Sequence, residues 1–177
     1  EEVIRVHGYD MIPIAPSSKV PLEGNSNPLF RFRTQCVDAM VGMGFQETMS
    51  LSMYTADERR DPPDMPPGVA LANPVTDDMK VLQGSLLPQL LRSAAGNWQR
   101  SDRNLRLFEV GRVFRAGASD DPRTWERQVL SAVMSGQSYP LSWSHPPKPF
   151  DFHDLKGAID VFCAKILLDK YEFFCYD

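Results

Sequence analysis

Apolar residues recur along this chain at two spacings, and each switch between them marks an element. Leu29, Phe32, Cys36, Val37, Met40 and Val41 fall at helical spacing. Asn27 precedes them as an N-cap, Pro28 fits the first turn, and Gly44 supplies a stop. Residues 45–53 then change to period two. Phe45, Met49, Leu51 and Met53 take one face; Gln46, Thr48, Ser50 and Ser52 take the other, which predicts a half-buried strand. Glu47 interrupts the apolar face and marks it as lying near an edge. A second helix is predicted after Ser85, with Pro88 in its first turn and a stripe of Leu87, Leu90, Leu91, Ala94, Ala95 and Trp98. Residues 105–114 read as one long strand, 116–123 as a hairpin loop, and 128–135 as the returning strand. Asp151 caps a third helix whose Phe152, Leu155, Ile159, Phe162, Cys163 and Ile166 share a face. Tyr171, Phe173 and Cys175 begin a further strand.

Shorter pieces complete the pattern. Residues 1–9 resemble the last turns of a helix stopped by Gly8 in the left-handed region. Residues 10–14 are expected to be extended, because Ile12 precedes Pro13. Residues 69–72 and 79–82 are short extended runs, and 57–68 form an exposed loop. Strands joined by hairpins, with helices laid on them, predict an α+β fold with an antiparallel sheet flanked by helices. A doubly wound parallel sheet is disfavoured, since crossover helices do not alternate with the strands.

Proline changes the domain picture. It makes up 15 of 177 residues, about 8% against an ordinary ~5%, and it clusters where elements are joined. We divide the chain into the end of a preceding small domain (1–14), a linker (15–27) and a core domain (28–177). The chain opens on Glu1 without Met and stops inside a strand-like run, so it reads as cut from something longer, with the core domain incomplete.

Charge and chemistry narrow the function. A net charge of −4 is unlike a free-standing nucleic-acid binder, so any RNA contact is local. Arg92, Arg100, Arg103, Arg106, Arg112 and Arg115 concentrate positive charge; they read either as a surface for RNA phosphate or as a solvated helix end and strand edge. Three cysteines without CxxC or CxxH spacing read as reduced, mostly buried thiols suited to a reducing cytoplasm. No apolar run approaches the ~18 residues of a membrane span. His7, His145 and His153 have no metal-site spacing, and Gly42-x-Gly44 follows a helix instead of opening one. Glu109, central in an apolar strand, calls for internal neutralisation, with Arg106 or Arg112 as the expected partner.

Six segments in order carry a family resemblance: Glu1-Glu-Val-Ile-Arg-Val-His-Gly-Tyr-Asp-Met-Ile-Pro13, Gly42-Met-Gly-Phe-Gln-Glu-Thr48, Asn73-Pro74, Ser85-Leu-Leu-Pro88, Leu107-Phe-Glu-Val-Gly-Arg-Val-Phe114 and Asp151-Phe-His-Asp-Leu-Lys-Gly157. Together they resemble the bacterial phenylalanyl-tRNA synthetase β subunit over nearly the whole chain. The resemblance implies a class II synthetase-like, non-catalytic core in residues 28–177. It implies a catalytic α subunit as partner in an α2β2 enzyme, with tRNA(Phe), phenylalanine and ATP used by that assembly and ATP held by α. Glu1 and Glu2 would belong to a Mg²⁺ site of the full-length protein, completed by acids upstream, and no metal is expected in this fragment. Neither DNA nor membrane is an expected partner. Val81-Leu-Gln-Gly84 departs from the family, which usually shows an Arg-Thr pair there, and His7 replaces a usual Tyr.

The resemblance also marks Arg115 as a vestigial phosphate-binding residue. Catalytic relatives continue Phe-Arg-x-Glu, whereas this chain reads Phe114-Arg115-Ala116-Gly117. An arginine there stabilises charge that builds on the phosphate. Without the acid two positions on, one anchor of the nucleotide is missing, so no catalytic residue is assigned. Phe32, Cys36, Met40 and Met49 are the expected subunit interface, on residues 28–43 and 45–53. The rival is a self-sufficient class II ligase domain that binds ATP, which Gly117 argues against; a plain α+β interaction module is the third reading.

Overall fold

A computed structural model of the protein describes residues 1–14, 27–55, 68–77, 79–100, 103–115, 126–139 and 142–174. The predicted linker, the loop over 57–68 and the hairpin loop over 116–123 fall wholly or almost wholly outside these residues, as do Gly117 and Cys175.

The core is one long hairpin covered on both sides. Strand β5 (Leu105–Phe114) pairs with β6 (Glu126–Ser135) in antiparallel register over ten residue pairs, from Leu105 opposite Ser135 to Phe114 opposite Glu126. Helix α3 (Leu87–Gln99) lies on one face, where Leu86, Leu90 and Ala94 pack with Leu105, Leu107 and Val113. Helices α2 (Pro28–Gly42) and α4 (Phe152–Lys165) serve the other, where Met40, Phe45 and Phe108 are buried with Val110, Leu130, Ala132 and Phe162 packed around them. Odd positions of β5 therefore face α3 and even positions face α2 and α4. Burial on both faces is why apolar residues stand at odd and even positions of β5 alike.

Each helix begins as its sequence requires. Asn27 accepts a hydrogen bond from the Leu29 amide at 3.0 Å, with Pro28 in the first turn. Asp151 and Asp154 form a reciprocal capping box: each side chain accepts from the other residue's amide, at 3.0 and 2.9 Å. Ser85 stands one residue earlier than a true cap, and its hydroxyl accepts from Leu87 N at 3.2 Å. Leu86 occupies the cap position of α3 and is wholly buried. Helix α1 (Glu2–His7) ends at Gly8, whose φ of 100° and ψ of 128° give a positive-φ extended stop, not the left-handed helical one expected.

The expected antiparallel sheet is corrected in three ways. Strand β1 (Gln46–Glu47) lies parallel to β5, on the edge opposite β6. It is reached from helix α2 through Gly44 at φ 83°, not through a hairpin, so no turn imposes the antiparallel direction. The strand predicted over 45–53 is broken: only β1 and β2 (Met53–Tyr54) are ladder-paired, and the residues between are held by isolated backbone bonds and by side chains. β2 instead joins β4 (Val81–Leu82) and β3 (Val69–Ala70) in a second small sheet, ordered β2-β4-β3. Residues 171–174 form no strand, and Tyr171 donates instead to Asp160 on α4 at 2.7 Å. Residues 9–11 form a single 3-10 turn, although 10–14 are expected to be extended, and the chain straightens only at Ile12.

Gly111 is where two layers fit together most closely. A Cβ there would lie 2.8 Å from Leu86 Cδ2, so the glycine makes the space that Leu86 fills. Leu86→Ala is expected to cost about 3 kcal/mol by leaving a cavity. Gly111→Ala is expected to destabilise the wild-type background and to lose most of that effect beside Leu86→Ala. Urea unfolding of the two single variants and the double variant measures the coupling.

Candidate functional site

Arg115 follows the last residue of β5 and is half-buried. By alternation it belongs to the face that carries Glu109, Gly111 and Val113, the face on which α3 lies. Gln83 locks this end of the strand. Its carbonyl accepts from Phe114 N at 2.8 Å, and its side-chain amide donates to the Arg112 carbonyl at 3.0 Å. Gln83, which directly follows β4, is thus a buried tie to β5. Next to it, the space over Gly111 is filled by Leu86. The sheet face that runs up to Arg115 holds protein.

Glu109 is buried, yet neither Arg106 nor Arg112 pairs with it, which corrects the expected neutralisation. Its carboxylate accepts two hydrogen bonds from Ser50: from the amide to Oε1 at 3.0 Å and from the hydroxyl to Oε2 at 2.7 Å. Arg112 lies on the opposite face and pairs with Glu126 at 2.9 Å. Arg106 sits over the Phe150 ring at 5.1 Å, and Arg103 over Trp98 at 5.4 Å. Arg103, Arg106 and Arg112 therefore have separate local partners, two of them aromatic.

The four expected interface residues divide into two pairs. Met40 and Cys36 are buried in this chain: Met40 packs against Phe45 and Phe108 under the sheet, and Cys36 is covered on the same helix. Phe32 and Met49 remain exposed, at 48% and 88%. Leu29, Phe30 and Val41 of α2 and Leu51 are exposed as well. The periodicity that pointed to α2 could not separate its inward from its outward apolar residues, because both recur at helical spacing.

Glu1 and Glu2 are exposed, and the Glu2 carboxylate is paired with Arg5, whose Nε lies 2.9 Å away. Two carboxylates with one so engaged do not make a Mg²⁺ site by themselves. Among the described residues no group of three His, Cys, Asp or Glu side chains is placed to hold a metal. His145 stacks on Tyr139 at 4.9 Å, and His153 meets Phe152 edge-on at 5.7 Å. Burial raises the thiol pKa of both Cys36 and Cys163, so neither is primed as a nucleophile. Among the described residues no helix is long and apolar enough to cross a membrane.

The fold is that of class II aminoacyl-tRNA synthetases. A pyrrolysyl-tRNA synthetase from Desulfitobacterium hafniense superposes with a TM-score of 0.57 at 19% identity, over 81% of this chain and 49% of that one. A histidine–tRNA ligase subunit from Alicyclobacillus acidocaldarius does so with a TM-score of 0.57 at 15% identity, over 88% and 43%. At such identities the likeness speaks of fold alone. Residues 12–174 match the family described as the phenylalanyl-tRNA synthetase β chain CLM domain, and the chain belongs to that family. Among individual relatives, the phenylalanine–tRNA ligase β subunit of Geobacter sulfurreducens is 35% identical over 168 residues, taking in 91% of this chain and 21% of that protein. That of Salinibacter ruber is 34% identical over 172 residues, with 91% and 21% covered. The chain thus spans about a fifth of the length of these relatives.

The Asp151-Phe-His-Asp-Leu-Lys-Gly157 segment owes its helix start to a charge-sensitive contact. The Asp154 amide and then Lys148 hold the Asp151 carboxyl below the usual carboxylate range. A depressed pKa contributes stability that is complete above the unfolded value of about 3.9 and is lost as pH falls through the folded one. The difference in melting temperature between wild type and Asp151→Ala is therefore expected to be full above about pH 5 and to shrink steadily below about pH 4.

Proposed function

We propose that this chain is part of the β subunit of a cytoplasmic phenylalanine–tRNA ligase and does no chemistry itself. Its role is to dock the catalytic α subunit and so support charging of tRNA(Phe) with phenylalanine and ATP in an α2β2 enzyme. Residues 28–177 form the class II-like core, residues 1–14 end a preceding domain, and 15–27 link the two. In the complete protein Glu1 and Glu2 contribute to a Mg²⁺ site together with acids outside this chain. ATP belongs to the α subunit.

One observation carries the non-catalytic reading. The sheet face leading to Arg115 is filled by Leu86 over Gly111, while the motif that should continue to an acid reaches Gly117 instead. Arg115 keeps the position of a phosphate-binding arginine beside a space already taken by a side chain. Docking is supported by the apolar residues that the fold leaves uncovered, Phe32 and Met49 foremost. Burying such groups against a partner supplies most of the drive for stable association.

Two measurements test this. The complete β subunit alone is expected to give no phenylalanine-dependent ATP–pyrophosphate exchange, with activity appearing only when α is added; exchange by β alone at rates near those of the assembled enzyme overturns the reading. Phe32→Asp is expected to weaken α binding by roughly thirtyfold while leaving the melting temperature of β within a few degrees, because Phe32 lies at the surface. Undiminished co-purification with α removes this face from the interface.

A further inference from the structure

We infer that the pairing of buried Glu109 with half-buried Ser50 is a positioning device: it fixes residues 48–52 so that Met49 and Leu51 stand outward as preformed contacts for the partner subunit. The inference rests on the docking role proposed above and assigns the residues that shape one part of that surface.

The geometry alternates residue by residue after β1 ends. Thr48 is tied inward, with its amide and hydroxyl both donating to the Phe108 carbonyl at 2.8 and 3.1 Å. Ser50 is tied inward by its two bonds to the Glu109 carboxylate. The Ser52 carbonyl accepts from Gln83 N at 2.9 Å. Every second residue is thus fastened to the sheet system, and the two between them, Met49 at 88% and Leu51 at 59% exposure, are turned out. The sequence pattern is that of a strand, and where the backbone ladder stops after Thr48 a side-chain carboxylate supplies the acceptors.

Stability alone does not account for Glu109. Glu109 is only 4% exposed, so its carboxylate bears a large desolvation cost, and neither Arg106 nor Arg112 neutralises it. An apolar side chain on this face of β5 would pack beside Leu107 and Val113 without that cost. What the carboxylate adds is direction. Two charge-assisted bonds to consecutive donors of one residue fix both the position and the rotation of the chain at Ser50. On the outward side Met49, Leu51, Met53 and Met79 share a cavity of about 240 Å³ with Gln89, Arg92 and Ser93, so adaptable methionines stand beside polar groups. Fixing two exposed apolar residues before contact removes the ordering cost that a partner would otherwise have to offset.

The test uses the complete β subunit with its α partner and reads the dissociation constant and the melting temperature of free β. Ser50→Ala is expected to weaken α binding roughly tenfold, the ordering cost of about two side chains. Glu109→Gln, which still offers an acceptor to the Ser50 amide and a donor to its hydroxyl, is expected to bind within about twofold of wild type. The decisive comparison is Ser50→Ala in a Met49→Ala/Leu51→Ala background. If Ser50 acts through those two side chains, its effect on affinity disappears there while its effect on melting temperature persists. Equal weakening in both backgrounds, or no weakening in either, overturns the inference and leaves the docking role standing. If Met49→Ala/Leu51→Ala itself binds α as wild type does, this rim is no contact, and the inference falls with that part of the docking surface.

Discussion

A ten-residue hairpin buried on both faces sets the terms for the rest of this domain. β5 and β6 pair over ten residues, and β5 carries apolar side chains to both faces, Leu105, Leu107 and Val113 one way and Phe108 and Val110 the other. Three helices are therefore needed where an amphipathic sheet would need fewer. α3 closes one face through Leu86 and Leu90, and α2 and α4 close the other through Met40 and Phe162. The connection from α2 then delivers β1 to the free edge of β5 in parallel. The small second sheet follows from the same constraint, since β4 must end beside β5 for Gln83 to meet Arg112 and Phe114.

This arrangement determines what becomes of the nucleotide face. A sheet that binds ATP must leave room over the strand that carries the phosphate-binding arginine. Here Gly111 provides room, and Leu86 takes it. The exchange is favourable for a structural domain: a wholly buried leucine is worth roughly 1.5–3 kcal/mol of burial, which an open site would forgo. On the proposed non-catalytic reading, Gly at position 117 and the Leu86 side chain over Gly111 act in the same direction.

The elements with strong periodicity and proper caps were legible in the chain: α2 behind Asn27 and Pro28, α4 behind Asp151, and β5 to the residue. What escaped depends on pairing between distant segments. Phe45 to Met53 reads as one strand because its side chains do alternate, yet the alternation is produced partly by Glu109, some 59 positions away, and periodicity does not reveal the acceptor. Glu109 itself invited an arginine partner because Arg106 and Arg112 are near in sequence. Strand parity sends both to the opposite face, a rule that could have excluded them beforehand. Leu86 was hidden for a different reason: it precedes the helix it stabilises, so it belongs to no stripe. The docking residues were recognisable as apolar but not as inward or outward, since α2 is apolar over more of its circumference than the sheet can cover.

That surplus is the physical link between fold and proposed role. α2 uses Met40 and Cys36 on its own sheet and leaves Leu29, Phe30 and Phe32 uncovered, while the loop beyond β1 hides Ser50 and shows Met49 and Leu51. Scattered exposed apolar residues are ordinary; a helix face and a tethered loop that both direct their apolar members outward are not explained by the chain's own packing. The pattern has a mechanical corollary. Residues whose backbone is held by buried bonds to the sheet keep their orientation whether or not a partner is present, so association at this rim approaches rigid-body docking instead of coupled ordering. On the proposed docking role, the sheet then serves as a stiff support for the surface that meets the partner.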